Sequence, residues 1–267
     1  MLIEMLNILE NFDLAAMGHN SPEYIRVVAE AMKIATVDKD TKVGDPRFYD
    51  VPVAEIISKE YAARKAEQIK RGEKCAVPRV NQGGGESKHT TQVTVTDAHG
   101  NCVTMTHTLG QPSGVVTDGL GFMYNGAMTV FDPRPGHAGS LAPGKARFTA
   151  VSPTIVFNDA APYLVLGAPG ATYITMGNLQ VMLNVLDFGM SAQEAVLAPR
   201  FAATSEIIEL SNRILRSTER DLRDRGYPVQ RHPLSYTFAW VHAIRIDSGV
   251  ATGLATLMTG AFFLLGC

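Results

Sequence analysis

Asn81-Gln82-Gly83-Gly84-Gly85-Glu86-Ser87-Lys88-His89-Thr90-Thr91-Gln92-Val93-Thr94-Val95-Thr96 is where the chain changes character. It opens on glycines and small polar residues, the composition of a linker. It closes on alternating threonine and valine, the composition of a half-buried strand. Asp97-Ala98-His99-Gly100-Asn101 then supplies turn residues, and the alternation resumes to Thr108. The spacing predicts a hairpin of strands over 91–97 and 101–108. Thr90 therefore stands where a linker meets a strand, and the residues alone leave two readings open. One is a plain hairpin strand rich in β-branched side chains. The other is a cut between His89 and Thr90, after which Thr90 carries a free α-amine. Such an amine titrates near ~8 and can act as base for its own hydroxyl, otherwise a weak nucleophile.

Upstream the text is helical. Met1 to Glu10 has the period of an amphipathic helix and lacks the basic start of a signal peptide. Ser21-Pro22-Glu23 opens a second helix with an N-cap serine and a proline at the first helical position. Gly44-Asp45-Pro46 is a turn, and Val53 to Ile69 predicts another helix whose charged face is solvated. Downstream of the hairpin, strands are predicted over 120–124, 153–158 and 162–167, with a Pro/Gly-rich loop from Phe131 to Lys145. Pro169-Gly170-Ala171 leads into a segment, Thr172 to Leu186, that is apolar nearly all round and reads as a buried helix. Ser191-Ala192-Gln193-Glu194 is a capping box. Leu210 to Arg225 predicts a charged helix, and Phe238 to Ile246 a last strand. From Ala251 to Cys267 the text is apolar, shorter than a comfortable span of ~20 residues and without a basic flank, so it predicts a buried or disordered end and not an anchor.

Composition bounds the chemistry. With 267 residues, 46% hydrophobic, 19% charged and a net charge of −2, the chain can bury a sizeable core and shows no bias toward nucleic acid or membrane. The 3 cysteines are widely spaced and the 7 histidines scattered, giving no metal-ligand pattern and no disulfide framework. Cys75 and Cys102 read as buried thiols, and no cofactor is expected.

Several phrases in fixed order resemble the γ-glutamyltranspeptidase family of N-terminal-nucleophile hydrolases. They are Met5 to Glu10, Gly18-His19-Asn20-Ser21, Gly44-Asp45-Pro46, Thr90-Thr91-Gln92, Asp97 to Asn101, Ser152-Pro153-Thr154-Ile155, Gly167-Ala168-Pro169-Gly170, Asn184 to Gly189 and Ala198-Pro199-Arg200-Phe201. The resemblance covers about residues 1 to 246 and selects the second reading of Thr90. It implies an α+β fold, part of an αββα sandwich. It also implies a precursor cut between His89 and Thr90 into a heterodimer of subunits, 1–89 from the large subunit and 90–267 the small one, with an altered tail over 248–267. Most of the large subunit, including an arginine for the substrate carboxylate, would then lie before Met1.

The same resemblance assigns roles. Thr90 is the nucleophile, Thr108 steadies it from the next strand, and the backbone N–H groups of Gly170 and Ala171 receive the oxyanion. An amide or γ-glutamyl compound is the substrate, and water or an amine or peptide the acceptor. Substrate-binding positions fall on Gly110, Ala127, Val130, Thr149 and Ala150, and at each of these the chain departs from the family. A family asparagine is Gly110, the glutamine and aspartate that hold an α-amino group are Ala127 and Val130, and a serine pair is Thr149-Ala150. A desolvated zwitterion needs polar partners, so the pocket is expected to take a different acyl group or glutamyl weakly. Two further readings stay in view: a member specific for a non-glutamyl amide, and a non-catalytic remnant. The compartment stays open.

Overall fold

The computed structural model describes residues 1–78 and 90–255. His89, the linker over 79–88 and the tail from 256 to Cys267 lie outside the described residues. In chain order the helices and strands are α1 (Leu2–Leu9), α2 (Leu14–Met17), α3 (Pro22–Lys42), α4 (Val53–Ile56), α5 (Lys59–Lys70), β1 (Thr90–Thr96), β2 (Cys102–Thr108), β3 (Pro112–Val116), β4 (Met123–Asn125), β5 (Thr154–Asn158), β6 (Ala161–Gly167), α6 (Ile174–Leu186), α7 (Ala192–Leu197), β7 (Phe201–Ala202), β8 (Ile208–Leu210), α8 (Arg216–Asp224), β9 (Val229–Arg231), β10 (His242–Asp247) and β11 (Val250–Ala255). No helix among the described residues is long and apolar enough to cross a membrane.

The fold is α+β and layered, part of an αββα sandwich. A four-stranded antiparallel sheet runs in the order β11-β10-β6-β5. The β1–β2 hairpin packs on one face of it, and α6 and α7 pack on the other. Beyond α6 the helical body follows: Met5, Ile8, Ile25 and Met32 share one core with Met176, Leu179 and Phe201. The helix α3 is buried along most of its length, and its buried positions include Glu30, Lys33, Asp38 and Lys39 beside the apolar ones. Ser21 caps it by accepting the Tyr24 amide at 3.1 Å. Two acids, Glu30 buried and Glu206 exposed, tie the segment after α5 to this body. Glu30 accepts the Cys75 amide at 2.7 Å, and Glu206 accepts the Val77 amide.

The Asp97 turn fixes the hairpin register. The Asp97 carboxylate accepts the amides of His99 and Asn101, each at 2.9 Å, and the Asn101 side chain at 2.7 Å. These bonds hold its pKa down. Gly100 takes φ 82, a conformation that favours glycine. Turn geometry sets register, so Thr96 pairs with Cys102 and, at the far end, Thr90 with Thr108. The inward face of the hairpin is polar. Gln92 is buried, donates to the Val93 carbonyl, Thr94 Oγ1 and Thr104 Oγ1 at 2.9, 3.0 and 2.8 Å, and accepts from Thr106 Oγ1 at 2.5 Å. Thr104 in turn donates to the Leu166 carbonyl of β6 at 3.0 Å. Every partner of the amide is a strand residue, so the network locks the hairpin to the sheet. The outward face, with Val93, Val95, Val103 and Met105, is exposed.

Several elements differ from expectation. Ile57 and Ser58 interrupt the predicted 53–69 helix, and Ser58 caps a new start by accepting the Tyr61 amide at 3.1 Å. The strand β3 and the shift of 120–124 to β4 were unforeseen, because Gly114, Gly119 and Gly121 at positive φ obscure the alternation. Leu210 belongs to β8, bridging β7 and β9, so the helix begins only at Arg216. Phe238 and Ala239 have φ of 63 and 72, which no strand admits, and β10 begins at His242. Val250–Ala255 is an edge strand on β10, largely exposed, where a buried or disordered end was expected. Cys75 and Cys102 are free and half-buried, not buried; burial pushes the Cys75 thiol up to about 11.

A β-carbon at Gly167 would overlap the Gln92 side-chain amide. Gly167→Ala is expected to lower stability by about 1–3 kcal/mol, the usual cost of overpacking. Gln92→Ala in the same chain should return part of it. Denaturant unfolding of the two single variants and the double variant measures both effects.

Candidate active site

The open end of the hairpin places the hydroxyl pair. Thr90 Oγ1 lies 2.8 Å from Thr108 Oγ1, and Gly110 donates its amide to Thr108 Oγ1 at 2.9 Å. With one lone pair of Thr108 taken by that amide, its hydroxyl proton can point to Thr90 and hold the Thr90 rotamer.

Both threonines line a cavity of about 630 Å³. Of the positions singled out in the sequence, Gly110, Ala127, Val130, Thr149, Ala150 and Ala171 line it as well. Gly170 does not. It lies behind the wall at φ 146, and a β-carbon there would come within 2.6 Å of Ala239 Cα. His89 lies outside the described residues.

The Pro169-Gly170-Ala171 turn has an unusual seat. Trp240 donates its amide to the Pro169 carbonyl at 3.0 Å, which sets the left-handed Phe238-Ala239 step directly against Gly170. Arg200, buried, donates to the Ala239 carbonyl at 2.9 Å and to the Val196 carbonyl at 2.6 Å. Ala171 has φ 51, where a β-carbon costs ~1–3 kcal/mol unless the surroundings impose it. Among the described residues neither the Gly170 nor the Ala171 amide donates to a protein acceptor. Two adjacent amides without acceptors, one buried and one on the cavity wall, form a ready donor pair for an anionic oxygen.

The opposite wall is carried by residues 147–151. Thr175 and Asn178 of α6 donate to the carbonyls of Ala150 and Ser152 at 3.3 and 2.8 Å. The Gly44-Asp45-Pro46 turn holds the same segment from its other end. Asp45 accepts the Ala146 amide at 2.8 Å and binds the Arg47 guanidinium, which reaches the Gly144 carbonyl at 3.0 Å. Arg47, and then the two backbone amides, hold the Asp45 carboxyl well below the usual carboxylate range.

Arg147, Phe148, Thr129, Gln111 and Thr172 are also on the lining, and sequence reasoning did not find them. Arg147 carried no signal, because nothing in Lys145-Ala146-Arg147 tells which side chain turns inward. Phe238 and Ala239 were equally hidden. No cluster of metal-binding side chains occurs among the described residues.

A layered α+β fold with a hydroxyl pair at a hairpin end and acceptor-free amides beside it is the architecture of the N-terminal-nucleophile hydrolases. The chain belongs to the gamma-glutamyltranspeptidase family, whose model matches residues 1–259. It is 41% identical over 234 residues to an acylase ACY 1 proenzyme of Pseudomonas sp. strain V22, covering 87% of this chain and 42% of that one. It is 35% identical over 215 residues to the glutathione hydrolase proenzyme of Escherichia coli K12, covering 75% and 37%. Among solved structures, cephalosporin acylase from Bacillus halodurans superposes with a TM-score of 0.80 at 26% identity, covering 95% of this chain and 46% of that chain. The chain thus spans less than half the length of these relatives.

Gly170→Ala is expected to cost more than about 2 kcal/mol, since strain at positive φ adds to a backbone clash. Ala171→Gly should be neutral or stabilising by up to about 1 kcal/mol, because relief of strain outweighs the added chain entropy. Thermal unfolding of both variants decides; a stable Gly170→Ala protein would remove the packing argument for this turn.

Proposed function

We propose that this chain carries the nucleophile of a self-processed, threonine-dependent amidohydrolase or acyltransferase. The 2.8 Å contact between Thr90 and Thr108 at the mouth of the cavity is the observation that carries the reading. A cut before Thr90 leaves an α-amine that takes the Thr90 hydroxyl proton as Oγ1 attacks an amide carbon. The Gly170 and Ala171 amides stabilise the resulting oxyanion. The protonated amine gives its proton to the leaving nitrogen, and an ester on Thr90 remains. Water, or an amine acceptor, then releases the acyl group and restores the hydroxyl.

Two of the relatives are named as proenzymes, in keeping with a precursor that is cut. On this reading residues 1–89 and 90–267 are pieces of two subunits that stay together as a heterodimer. The substrate is a small amide with a γ-glutamyl or related acyl group, bound along Gly110, Ala127, Val130, Thr149 and Ala150. No cofactor takes part in these steps.

Intact mass after purification and incubation tests the cut. Two fragments divided between His89 and Thr90 are expected, and Thr90→Ala should give one undivided chain without amide turnover. A wild-type chain that stays whole while folded would refute the reading. Thr108→Val, which keeps shape and removes the hydroxyl, should lower kcat by about 10- to 1000-fold, the range for losing one preorganised hydrogen bond.

A further inference from the structure

The two donors of the Pro169-Gly170-Ala171 turn are aimed from behind. A peptide unit is planar and trans, so its carbonyl and its N–H point opposite ways. The Pro169 carbonyl shares a plane with the Gly170 N–H, and the Trp240 amide holds that carbonyl at 3.0 Å. The Gly170 carbonyl shares a plane with the Ala171 N–H, and the Tyr173 amide holds it, also at 3.0 Å. Trp240 therefore sets the direction of one donor and Tyr173 that of the other.

Tyr173 is itself anchored. Its side chain is buried, and its hydroxyl donates to Glu209 Oε2 at 2.9 Å. Glu209 is buried on β8, the middle strand between β7 and β9, where Ala202 and Gln230 are its neighbours. The carboxyl group thus stands on a backbone paired on both sides. The Tyr173 ring meets Phe238 edge to face, with centroids 5.3 Å apart. Phe238 opens the left-handed step whose second residue, Ala239, lies against Gly170. Hydrogen bonds to carboxylates are among the stronger ones in a folded chain, and a buried carboxyl group deprived of its donor is costly. Both properties hold the phenol to one place.

We propose that Tyr173 and Glu209 are positioning residues for the oxyanion donors. Glu209 holds the Tyr173 phenol, and the Tyr173 amide, so placed, keeps the Ala171 N–H turned to the cavity. The inference rests on Thr90 as nucleophile and on the Ala171 amide as oxyanion donor, and it adds the pair that aims that donor. Neither Tyr173 nor Glu209 is on the cavity lining. The pair therefore acts on the charge that develops during attack and not on the binding that precedes it.

The kinetic probe is γ-glutamyl p-nitroanilide. Tyr173→Phe keeps the ring on Phe238 and removes the hydroxyl, Glu209→Ala removes the acceptor, and Glu209→Gln keeps an oxygen that can accept the phenol. Tyr173→Phe and Glu209→Ala are expected to lower kcat by about 10- to 100-fold, short of the roughly 100- to 1000-fold for outright loss of a donor. KM should stay within about twofold of wild type, the mark of an interaction made only in the transition state. Glu209→Gln should keep kcat within about threefold of wild type. Full kcat in Tyr173→Phe, a risen KM in place of a fallen kcat, or a Glu209→Gln chain as slow as Glu209→Ala overturns the proposal while Thr90 catalysis stands. Tyr173→Phe/Glu209→Leu strands no carboxyl group and so guards against simple loss of folding. Its kcat should remain low, and full activity there also overturns the proposal.

A wild-type chain that stays uncut and turns over no anilide sinks the catalytic reading by itself. The aiming is then decided without turnover, by the heteronuclear nitrogen–proton NOE of the Gly170 and Ala171 amides, which reports fast backbone motion. Both amides should be rigid in the wild type. Tyr173→Phe and Glu209→Ala should loosen Ala171 and leave Gly170, held through Trp240, as it was. An unchanged Ala171, or a parallel loosening of both residues, overturns the pair.

Discussion

The hairpin has to sit on the sheet in one register and one position for Thr90 Oγ1 to meet Thr108 Oγ1. The Asp97 turn sets the register, and a polar layer sets the position. Gln92 spends its amide on strand partners within the hairpin, Thr104 reaches across to β6, and Gly167 clears the space between them. An apolar layer of equal volume would bury as much surface and specify less. Hydrocarbon packs in many offsets, whereas a buried amide is satisfied in few. Directional bonding costs desolvation, and in return the end of β1 meets the end of β2 hydroxyl to hydroxyl.

A second support faces it. Among the described residues the Gly170 and Ala171 amides of the Pro169-Gly170-Ala171 turn find no acceptor, an expensive arrangement anywhere else in a folded chain. It persists because the backbone behind it is fixed in an equally uncommon shape. Phe238 and Ala239 adopt positive φ, the Trp240 amide ties them to Pro169, and the buried Arg200 holds the Ala239 carbonyl. Strain is thus concentrated in two short steps that lean on each other, one of them ending at Ala171 on the cavity wall.

Much of this was legible in the residues. The hairpin was visible because alternation and turn chemistry agree over Thr90 to Thr108, α3 and α7 because their caps show in the sequence, and α6 because it is apolar nearly all round. Site positions from Gly110 to Ala171 could be named from ordered phrases, and the fold gathers all but Gly170 around one cavity. Arg147, Phe238 and Ala239 were not legible. An inward-facing arginine in a loop depends on what anchors the loop, here Asp45 about a hundred residues earlier. A left-handed step at a phenylalanine has no local signature, since only distant packing makes it pay. The Leu210 region failed for a related reason: its helical period was real, but pairing between β7 and β9 outcompeted it.

Residues on either side of the Thr90 junction contribute to a common interior. Met5, Ile8 and Met32 interlock with Met176, Leu179 and Phe201, while Glu30 and Glu206 grip the backbone at Cys75 and Val77. Severing the peptide before Thr90 would therefore divide the polymer and leave the solid intact. The two products would behave as a nicked object and not as two molecules seeking each other, and the new terminus would be born already in its socket.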